Sequence, residues 1–424
     1  MMNFEYRSQP SRAVFGSGKG KELPRHLSPY SRVMIIAGGR MQPLTEHLIN
    51  EMGADRVAVF SRIIQHVPRD LVEEATEFAE GFRPDVLVAI GGGSAIGLAK
   101  AIVITRTKMQ FDDGPESAGM PSFESQSPGR SSIGLQAPGP KSAGLQTPGP
   151  KSAEPLSIVA VPTTFSGSEQ TDIWGISSPE GKDTGRSDLV LPELVIYDPD
   201  LFQVLPSGLA VTSAMNAMAH LVEAVYAPDG NPLTKGQALQ GIRALKTGLQ
   251  ALAELKPVQG ELQSGQNPAD DFLEIPVGTA ENLLFGAFLA GKCLREVTMS
   301  LHHKAAHVLG GSFGLDHASV HTVLLPHVLQ YQWPHLSAEI RRDFEEVLGP
   351  DPAGELRSLT KNAGGPVDLK NIGFGREDTI HPEIENAAET ILLKPYGNPA
   401  PLEKDRLVRM LQNAWKGSLP ADGF

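Results

Sequence analysis

The sequence predicts an α/β fold in two parts: an amino-terminal domain with a parallel sheet, then an all-helical carboxyl-terminal domain. Over the first 200 residues, short apolar runs bounded by Gly or Pro alternate with helical patterns, which is typical of strands buried on both faces of a parallel sheet. After Leu205-Pro206 helical spacing continues without such runs, whereas further α/β units would require them. The length of 424 residues also favours two domains, which we place at 1–205 and 206–424.

The individual elements follow from the spacing of apolar residues. The predicted strands are 33–37, 56–60, 85–90, 157–161 and 194–197. The predicted helical stretches include 70–82, 207–255, 278–297, 317–332 and 402–416. Gly310-Gly311 are expected to end the helix that precedes 317–332, because glycine commonly follows the last helical turn.

The composition excludes several classes of function. Lys and Arg number 37 against 49 Asp and Glu, and the formal charge of −12 removes the usual basis for binding nucleic acid or anionic membranes. Cys293 is the single cysteine, which excludes an intramolecular disulfide and suits a reducing compartment. The start of the chain has no apolar signal segment, and no window approaches a membrane span. We therefore expect a soluble, cytoplasmic protein with neither nucleic-acid nor membrane partners.

Residues 112–155 differ from the rest of the first domain in composition. They are rich in Pro, Gly and Ser, and a ten-residue pattern beginning with Pro-Gly recurs at 128, 138 and 148. Their apolar content is too low to offset the entropy of ordering the chain. We predict a flexible insertion, and a docking segment is the alternative.

A glycine motif follows the third predicted strand, in the run DVLVAIGGGSAIGLAKAI. Backbone N–H groups at Gly91, Gly92 and Gly93, with Ser94 in the first helical turn, would face a phosphate at the positive end of the helix. The spacing is not GxGxxG, since its third position falls on Ile96, and there is no GKS or GKT for a P-loop. A tight turn without a ligand is therefore the alternative for this motif alone.

A second loop of small and hydroxyl residues, PTTFSGSEQT from Pro162, follows the next predicted strand. It places Thr163 and Thr164 at a strand end, where open α/β sheets bind their ligands. Two such loops after successive strands favour a nucleotide site over two unrelated turns.

The helical half concentrates residues that suit a metal ion or a reacting carbonyl group. Asn216 and His220 are four residues apart, as are His303 and His307, so each pair shares one helix face. His317 follows ten residues after His307 and is predicted to open the next helix. Side chains from these positions could gather around one point, to bind a divalent metal or to polarise a carbonyl. The alternative is that several are core or surface imidazoles with ordinary partners.

These motifs resemble the iron-containing alcohol dehydrogenase superfamily, which has a dehydroquinate synthase-like fold. The resemblance covers nearly the whole chain except 112–155 and is carried by long strings: GGGSAIGLAKA, PTTFSGSEQT, TGRSDLVLPELVIYDP, MNAMAHLVEAVYA, LHHKAAHVLGGSFGLDHASVHTVLLPH and PYGNPAPL. Within the superfamily the sequence is most similar to the maleylacetate reductase branch. The resemblance implies a dinucleotide-binding α/β domain, a helical catalytic domain and an oxidoreductase of aromatic catabolism.

The resemblance also implies NADH or NADPH as the cofactor. It assigns eight residues to the dinucleotide, namely Gly38, Gly91, Gly92, Gly93, Ser94, Thr163, Thr164 and Lys182. Gly39-Arg40, after the first predicted strand, would accept a 2′-phosphate, and no acidic residue stands clearly at the ribose-reading position. The sequence therefore leaves the choice between the two nucleotides open.

The metal-dependent branch of the superfamily has an Asp and three His ligands, which map to Asn216, His220, His307 and His317. An amide brings no negative charge and is a poor ligand for Fe²⁺ or Zn²⁺. The maleylacetate reductase branch resembles this chain in having Asn there. We therefore expect no metal; if one is bound, the three histidines are its ligands.

The expected reaction is the NAD(P)H-dependent reduction of maleylacetate to 3-oxoadipate, with hydride added to the enone carbon and imidazoles stabilising the enolate. His220, His307 and His317 are the candidate donors to the ketone oxygen, and His303 could relay the proton.

The small dicarboxylate substrate requires cationic partners, for which Arg186 and Lys304 are candidates. Relatives suggest a homodimer. The alternatives are a metal-dependent alcohol dehydrogenase with a weakened ligand set, and a non-redox enzyme or inactive nucleotide-binding scaffold on the same fold.

Overall fold

Six strands form one parallel sheet in the first half of the computed structural model, which describes residues 4, 6, 10–112, 156–178, 181–202, 204–257, 271–376, 380–393 and 396–420. The strands are β1 (Arg12–Phe15), β2 (Val33–Ala37), β3 (Val57–Phe60), β4 (Val86–Gly91), β5 (Ser157–Pro162) and β8 (Leu194–Tyr197). All five predicted strands are present, and β1 was not predicted because its run RAVF has only four residues and begins with a charged one. Residues 113–155, on which most of the predicted insertion falls, lie outside the described residues.

Helices cover both faces of the sheet. They are α1 (Leu23–His26), α2 (Gln42–Met52), α3 (Arg69–Phe82) and α4 (Gly93–Asp112). Leu44 and Leu48 of α2 pack against one face, with Val33 and Ile35 of β2. Residues of α3 and α4 pack against the opposite face. Burial on both faces explains why the strands are continuous apolar runs rather than alternating ones.

The strand order is β1-β8-β5-β4-β2-β3. From β2 the chain crosses to β3 at one edge, whereas from β4 it proceeds to β5 on the other side. Neighbours β2 and β4 therefore mark the point at which the strand order reverses. In open α/β sheets, a crevice forms outside the carboxyl ends of the strands at this place, and ligands bind there.

The second half is mostly helical. Its helices are α5 (Ser207–Tyr226), α6 (Pro232–Ala253), α7 (Val277–Glu296), α8 (Leu301–Ser312), α9 (His317–Gln332), α10 (Ala338–Leu348), α11 (Pro352–Asn362), α12 (Ile380–Leu392) and α13 (Lys404–Lys416). In the described part of the chain, no helix is both long and apolar enough to cross a bilayer.

Two details of the helical half correct the sequence prediction. The half is not entirely helical, because β10 (Phe272–Glu274) pairs antiparallel with β9 (Val204–Pro206), which lies across the predicted domain boundary. A three-residue strand whose partner lies far away in sequence gives no local pattern to read. Helix α8 also continues through Gly310-Gly311 to Ser312, and the left-handed residue that follows it is Gly314, with φ of 67°. In the first half of the chain, a hairpin of β6 (Ile173–Ser178) and β7 (Gly181–Arg186) was also not predicted.

Candidate active site

The glycine motif and the threonine loop meet at the carboxyl edge of the sheet. Gly91 of β4 is aligned with Pro162 of β5, and the Thr163 N–H donates to the Gly91 carbonyl at 3.0 Å. Gly38 follows β2, the neighbour of β4, and a Cβ atom there would meet nothing within 4 Å. The strand ends that carry the predicted dinucleotide residues therefore surround the crevice at the reversal point.

At two positions of this edge, neighbouring atoms lie so close to the backbone that only glycine fits. A Cβ atom on Gly92 would lie 2.8 Å from Cγ2 of Thr164, and one on Gly91 would lie 2.8 Å from Cβ of Ala95. Helix α4 begins at Gly93, so its first N–H groups and its positive end face the crevice. Ser94 lies in this first turn. The arrangement fits a phosphate group.

Lys100, on α4, anchors the threonine loop through hydrogen bonds to its backbone. This residue was not identified from the sequence. Its buried ammonium donates to the carbonyl oxygens of Ser168, Thr171 and Ile173 at 2.8, 2.7 and 3.2 Å. Burial lowers its pKa to about 7. The signal available in the sequence was a lysine among the apolar residues of α4.

The remaining candidates in the first half are Lys182 and Arg186, both on β7. For Lys182 only the backbone is described. The Arg186 guanidinium lies 3.0 Å from the Asp172 carboxylate and donates to the carbonyl of Arg295 at 2.8 Å. Arg186 is therefore already ion-paired, which weakens its case as the partner of a substrate carboxylate.

Helix α5 carries a polar stripe through an otherwise apolar core. Asn216, His220 and Glu223 are spaced by four and three residues, so they share one face, and all are buried. Sequence reasoning found the first two and missed Glu223. Its signal was a charged residue at the same helical spacing in MNAMAHLVEAVYA.

Glu223 joins α5 to the start of α8. Its carboxylate accepts the backbone N–H groups of Ser300 and His302 at 3.2 and 2.9 Å, and it lies 2.5 Å from Nδ1 of His303. Burial alone would raise the pKa of Glu223, but the hydrogen bond and the positive field from His303 lower it below its ordinary value. The group is therefore an ionised carboxylate that holds one imidazole and one helix end.

Six imidazoles form a continuous group around this stripe. The ring of His303 stacks on His220 with centroids 5.0 Å apart and lies 4.9 Å from His321. His321 in turn lies 4.4 Å from His317, which stacks on His307 at 5.7 Å. His303 therefore contacts His220 directly, and His307 is exposed at the rim of the group.

Two members of the group, His302 and His321, were missed by sequence reasoning. Both are completely buried, and Nε2 of His302 lies 2.9 Å from Nδ1 of His321. Their signals were the doubled histidine in LHHKAAH and the i,i+4 spacing of His317 and His321.

Burial keeps three of these six rings, His220, His302 and His321, neutral. It lowers the pKa of His220 and His321 well below the ordinary value, and neighbouring imidazoles lower both further. Burial lowers the pKa of His302 to about 3. A neutral imidazole has one N–H donor and one acceptor nitrogen, so its role depends on which nitrogen carries the proton.

Several polar atoms of the group are buried without a hydrogen-bond partner among the described residues. They are Oδ1 of Asn216, Nδ1 of His220, Nδ1 of His302, Nε2 of His303 and Nε2 of His321. Buried polar atoms in proteins are nearly always satisfied, and each unsatisfied one requires an explanation. Hydrogen-bonding capacity that the described residues do not use is therefore concentrated in this group.

Two contacts connect the glycine edge with the histidines. The Phe165 N–H in the threonine loop donates to Oγ of Ser213 at 3.3 Å, one turn before Asn216 on α5. Nε2 of Gln65, which follows β3, donates at 3.1 Å to Asp316, the residue before His317. The two regions therefore form one site between the sheet edge and the helices.

Among the described residues, the donor set shows no grouping typical of a metal site. In the part of the chain that the structure describes, no group of three or more His, Cys, Asp or Glu is placed to hold a metal ion. The position that the resemblance gives to a carboxylate ligand carries the neutral amide of Asn216.

A glycine-rich edge on an α/β sheet, followed by a helical half with a buried group of polar side chains, is typical of nucleotide-dependent enzymes. Residues 10–199 match the iron-containing alcohol dehydrogenase family, and residues 210–415 match the carboxyl-terminal domain of the same family. The chain belongs to this family and is an oxidoreductase.

Relatives align over essentially the whole chain. A maleylacetate reductase of Burkholderia cepacia is 35% identical over 99% of this chain and 100% of its own length. One of Delftia acidovorans is 33% identical over 99% of each chain. The crystal structure of a maleylacetate reductase from Agrobacterium tumefaciens superposes with a TM-score of 0.77, at 30% identity, over 99% of this chain and 100% of that one.

Proposed function

We propose that the protein reduces maleylacetate to 3-oxoadipate with NADH or NADPH. The observation that carries the proposal is the set of unpaired buried atoms on Asn216, His220, His303 and His321. The proposal is also supported by the hydrogen bond from Phe165 in the threonine loop to Ser213 on α5, the helix that carries Asn216 and His220. The relatives named maleylacetate reductase support it, because their similarity extends through both halves of the site. A ketone oxygen between neutral imidazoles matches the charge and hydrogen-bonding capacity of the cluster.

The reaction adds hydride to the carbon beta to the ketone, and the electron pair of the C=C bond moves to give an enolate. Negative charge then develops on the ketone oxygen, where N–H donors stabilise it. His220 and His317 are the proposed donors, with His307 at the exposed rim. A proton on His303 would complete the product by forming the new C–H bond.

The substrate carboxylates require cations. Lys304, which follows His303 on α8, is partly exposed, and its ammonium makes no hydrogen bond or ion pair with the described residues. It is thus available for a carboxylate, one helical turn before His307. Arg186 stays the weaker candidate because Asp172 already occupies its guanidinium.

The proposed cofactor site contains Gly38, Gly91–Gly93, Ser94, Thr163 and Thr164, with Lys182 on the neighbouring hairpin. When bound, the nicotinamide supplies the hydride. The role of this chain is to hold the phosphates on the α4 end and the glycine loop, and so to orient the nucleotide towards the helices.

We further propose that the protein works without metal. The control variant is Asn216→Asp, which restores a carboxylate one turn before His220 with almost no change in volume. We expect the unmodified protein to contain well under one metal per chain by mass spectrometry, and the variant to gain Zn²⁺ or Fe²⁺. Stoichiometric metal in the unmodified protein, with activity lost to EDTA and restored by Zn²⁺ or Fe²⁺, would overturn the proposal in favour of a metal-dependent alcohol dehydrogenase.

A homodimer is proposed through the edge of the sheet. Strand β1 lies at this edge, and Phe15 and Phe285 beside it are 39% and 37% exposed, which forms an apolar patch typical of an interface. We expect Phe15→Asp to give monomers in light scattering. Phe78→Asp, at a similarly exposed phenylalanine on α3, should leave the molar mass unchanged.

The direct test of function is oxidation of NADH and NADPH with maleylacetate, compared with simple alcohols and aldehydes. We expect turnover with maleylacetate at least a hundredfold above that with the simple substrates, and 3-oxoadipate as the product by mass spectrometry. Turnover confined to alcohols or aldehydes, or none with any substrate, would contradict the proposal.

A further inference from the structure

We propose that Glu223 is a positioning residue, which fixes the ring of His303 as the Nδ1–H tautomer and thereby presents its Nε2 atom to the substrate. The identity of that substrate rests on the proposed function, whereas the orientation of the ring does not.

The first support is the contact itself. An ionised carboxylate has only acceptor atoms, so the hydrogen in the 2.5 Å contact between Glu223 Oε2 and His303 Nδ1 lies on the nitrogen. Nε2, on the other side of the ring, is buried and has no hydrogen-bond partner in the described chain. The ring also stacks on His220 at 5.0 Å, which limits its rotation. Nδ1 of His303 is therefore held by Glu223, and Nε2 is left available for a substrate group.

The second support is the anchoring of the carboxylate. Glu223 accepts the N–H groups of Ser300 and His302 at the start of the twelve-residue helix α8, where unpaired N–H groups and the helix dipole favour an anion. The side chain is completely buried. It therefore cannot turn away from His303 without leaving helix N–H groups unsatisfied, and the same carboxylate sets both the start of α8 and the orientation of the ring.

The chemistry gives this orientation a purpose. Nε2 has a lone pair in the Nδ1–H tautomer and takes up a proton from solvent. After hydride has reached the beta carbon, the enolate electron pair takes this proton, so that a C–H bond forms and an N–H bond breaks. The electron pair of that N–H bond stays on the ring, which returns to the Nδ1–H tautomer held by Glu223. A carboxylate behind an imidazole stabilises the charged ring and preserves the required tautomer in the same way in hydrolytic triads.

The test begins with the unmodified protein, labelled with ¹⁵N at its twelve histidines. Long-range ¹H–¹⁵N spectra distinguish the two tautomers by the shifts of the ring nitrogens, and His303→Gln identifies the resonances of that ring. We expect the Nδ1–H pattern. The opposite pattern in the folded, unmodified protein would overturn the proposal, whether or not the protein reduces maleylacetate.

The variant for kinetics is Glu223→Gln, which keeps an oxygen for the helix N–H groups but turns an N–H donor towards His303. We expect kcat to fall at least a hundredfold, the KM for NAD(P)H to change less than threefold, and the ring to switch to the Nε2–H tautomer. In the background of His303→Ala, Glu223→Gln should cause no further loss. Equal losses of kcat in both backgrounds would mean a merely structural role and would overturn the proposal.

Asp229→Asn is the matched control. Asp229 also accepts a backbone N–H just before α8, from Thr298 at 3.0 Å, but its hydrogen bonds do not reach a histidine. We expect this variant to retain kcat within threefold and to leave the His303 shifts unchanged. Loss of the Nδ1–H pattern in Asp229→Asn would contradict the assignment to Glu223, because any change at the start of α8 would then suffice.

Discussion

The glycine edge and the histidine cluster face each other across one site but are built on different principles. The edge consists mainly of backbone groups in short segments that follow consecutive strands, such as Gly91–Gly93 and Thr163-Thr164. The cluster consists of side chains from three helices, α5, α8 and α9, and its geometry depends on how those helices pack. A binding region made of backbone follows from local sequence, whereas one made of side chains depends on tertiary contacts.

The two regions also differ in the kind of charge that they can stabilise. The edge offers unsatisfied N–H groups and a helix end, which suit the fixed charge of a phosphate. The cluster holds neutral rings around one buried carboxylate, Glu223, and suits charge that develops only during reaction. Changes in the two regions should therefore separate binding of the nucleotide from turnover.

The largest effect is expected at His220. His220→Ala removes one donor from the developing oxyanion, which should lower kcat about a hundredfold, equivalent to about 3 kcal/mol. The Kd for NAD(P)H, measured by fluorescence titration, should change less than threefold, because the ring does not serve the dinucleotide. His307→Ala and His317→Ala should lower kcat in the same direction, with the smaller loss at the exposed His307. If all three variants keep normal turnover, the cluster is structural.

At Gly92 we expect the reverse pattern, in which binding of the nucleotide weakens more than turnover. Gly92→Ala places a Cβ atom 2.8 Å from Thr164, which must displace the threonine loop from the glycine turn. We expect the Kd for NAD(P)H to rise at least tenfold, about 1.4 kcal/mol, with a smaller change in kcat at saturating nucleotide. Gly81→Ala on α3, where a Cβ atom meets nothing within 4 Å, is the control and should leave the Kd unchanged. An unchanged Kd in Gly92→Ala would mean that the nucleotide lies elsewhere.

The neutral rings predict a pH dependence of stability. The folded pKa of His302 is lowered from 6.5 to about 3, so this ring takes up a proton on unfolding whenever the pH lies between those values. The contribution of the His302 ring to the free energy of unfolding is complete above pH 6.5. This contribution is lost as the pH falls towards 3, at up to about 1.4 kcal/mol per pH unit. Chemical denaturation of His302→Gln should show a shallower fall in the free energy of unfolding between pH 6 and 4 than the unmodified protein. His381→Gln, at an exposed histidine, is the control. If His302→Gln and His381→Gln show the same dependence of the free energy of unfolding on pH, the assignment of His302 as a buried, neutral ring is wrong.

The smallest effect is expected from the insertion. Deletion of residues 114–152 should leave turnover and melting temperature nearly unchanged, because loop length costs only about 0.6 kcal/mol per doubling. The change is measured by steady-state kinetics and calorimetry. More than tenfold loss of activity in a folded variant would indicate that the repeat covers the site or binds a partner.

The sequence by itself determined most of the α/β half, although not β1 or the hairpin of β6 and β7. Its five main strands were predictable because strands buried on both faces must be continuous apolar runs, and the turn into α4 was predictable because three glycines follow such a run. The order of the strands could not be predicted from the sequence. The reversal point between β2 and β4 depends on that order, so it could not be predicted either. That order depends on crossings over many residues, which leave no local pattern.

In the helical half, the sequence determined which helix faces carry Asn216, His220, His303 and His307, since spacing of four residues fixes a common face. Only the tertiary structure decided that His303 stacks on His220, and that Glu223 holds His303. The physical reason is that helical periodicity fixes the direction of a side chain relative to its own axis. Which side chains meet between α5 and α8 depends on the packing of the apolar faces around them, to which residues throughout the domain contribute.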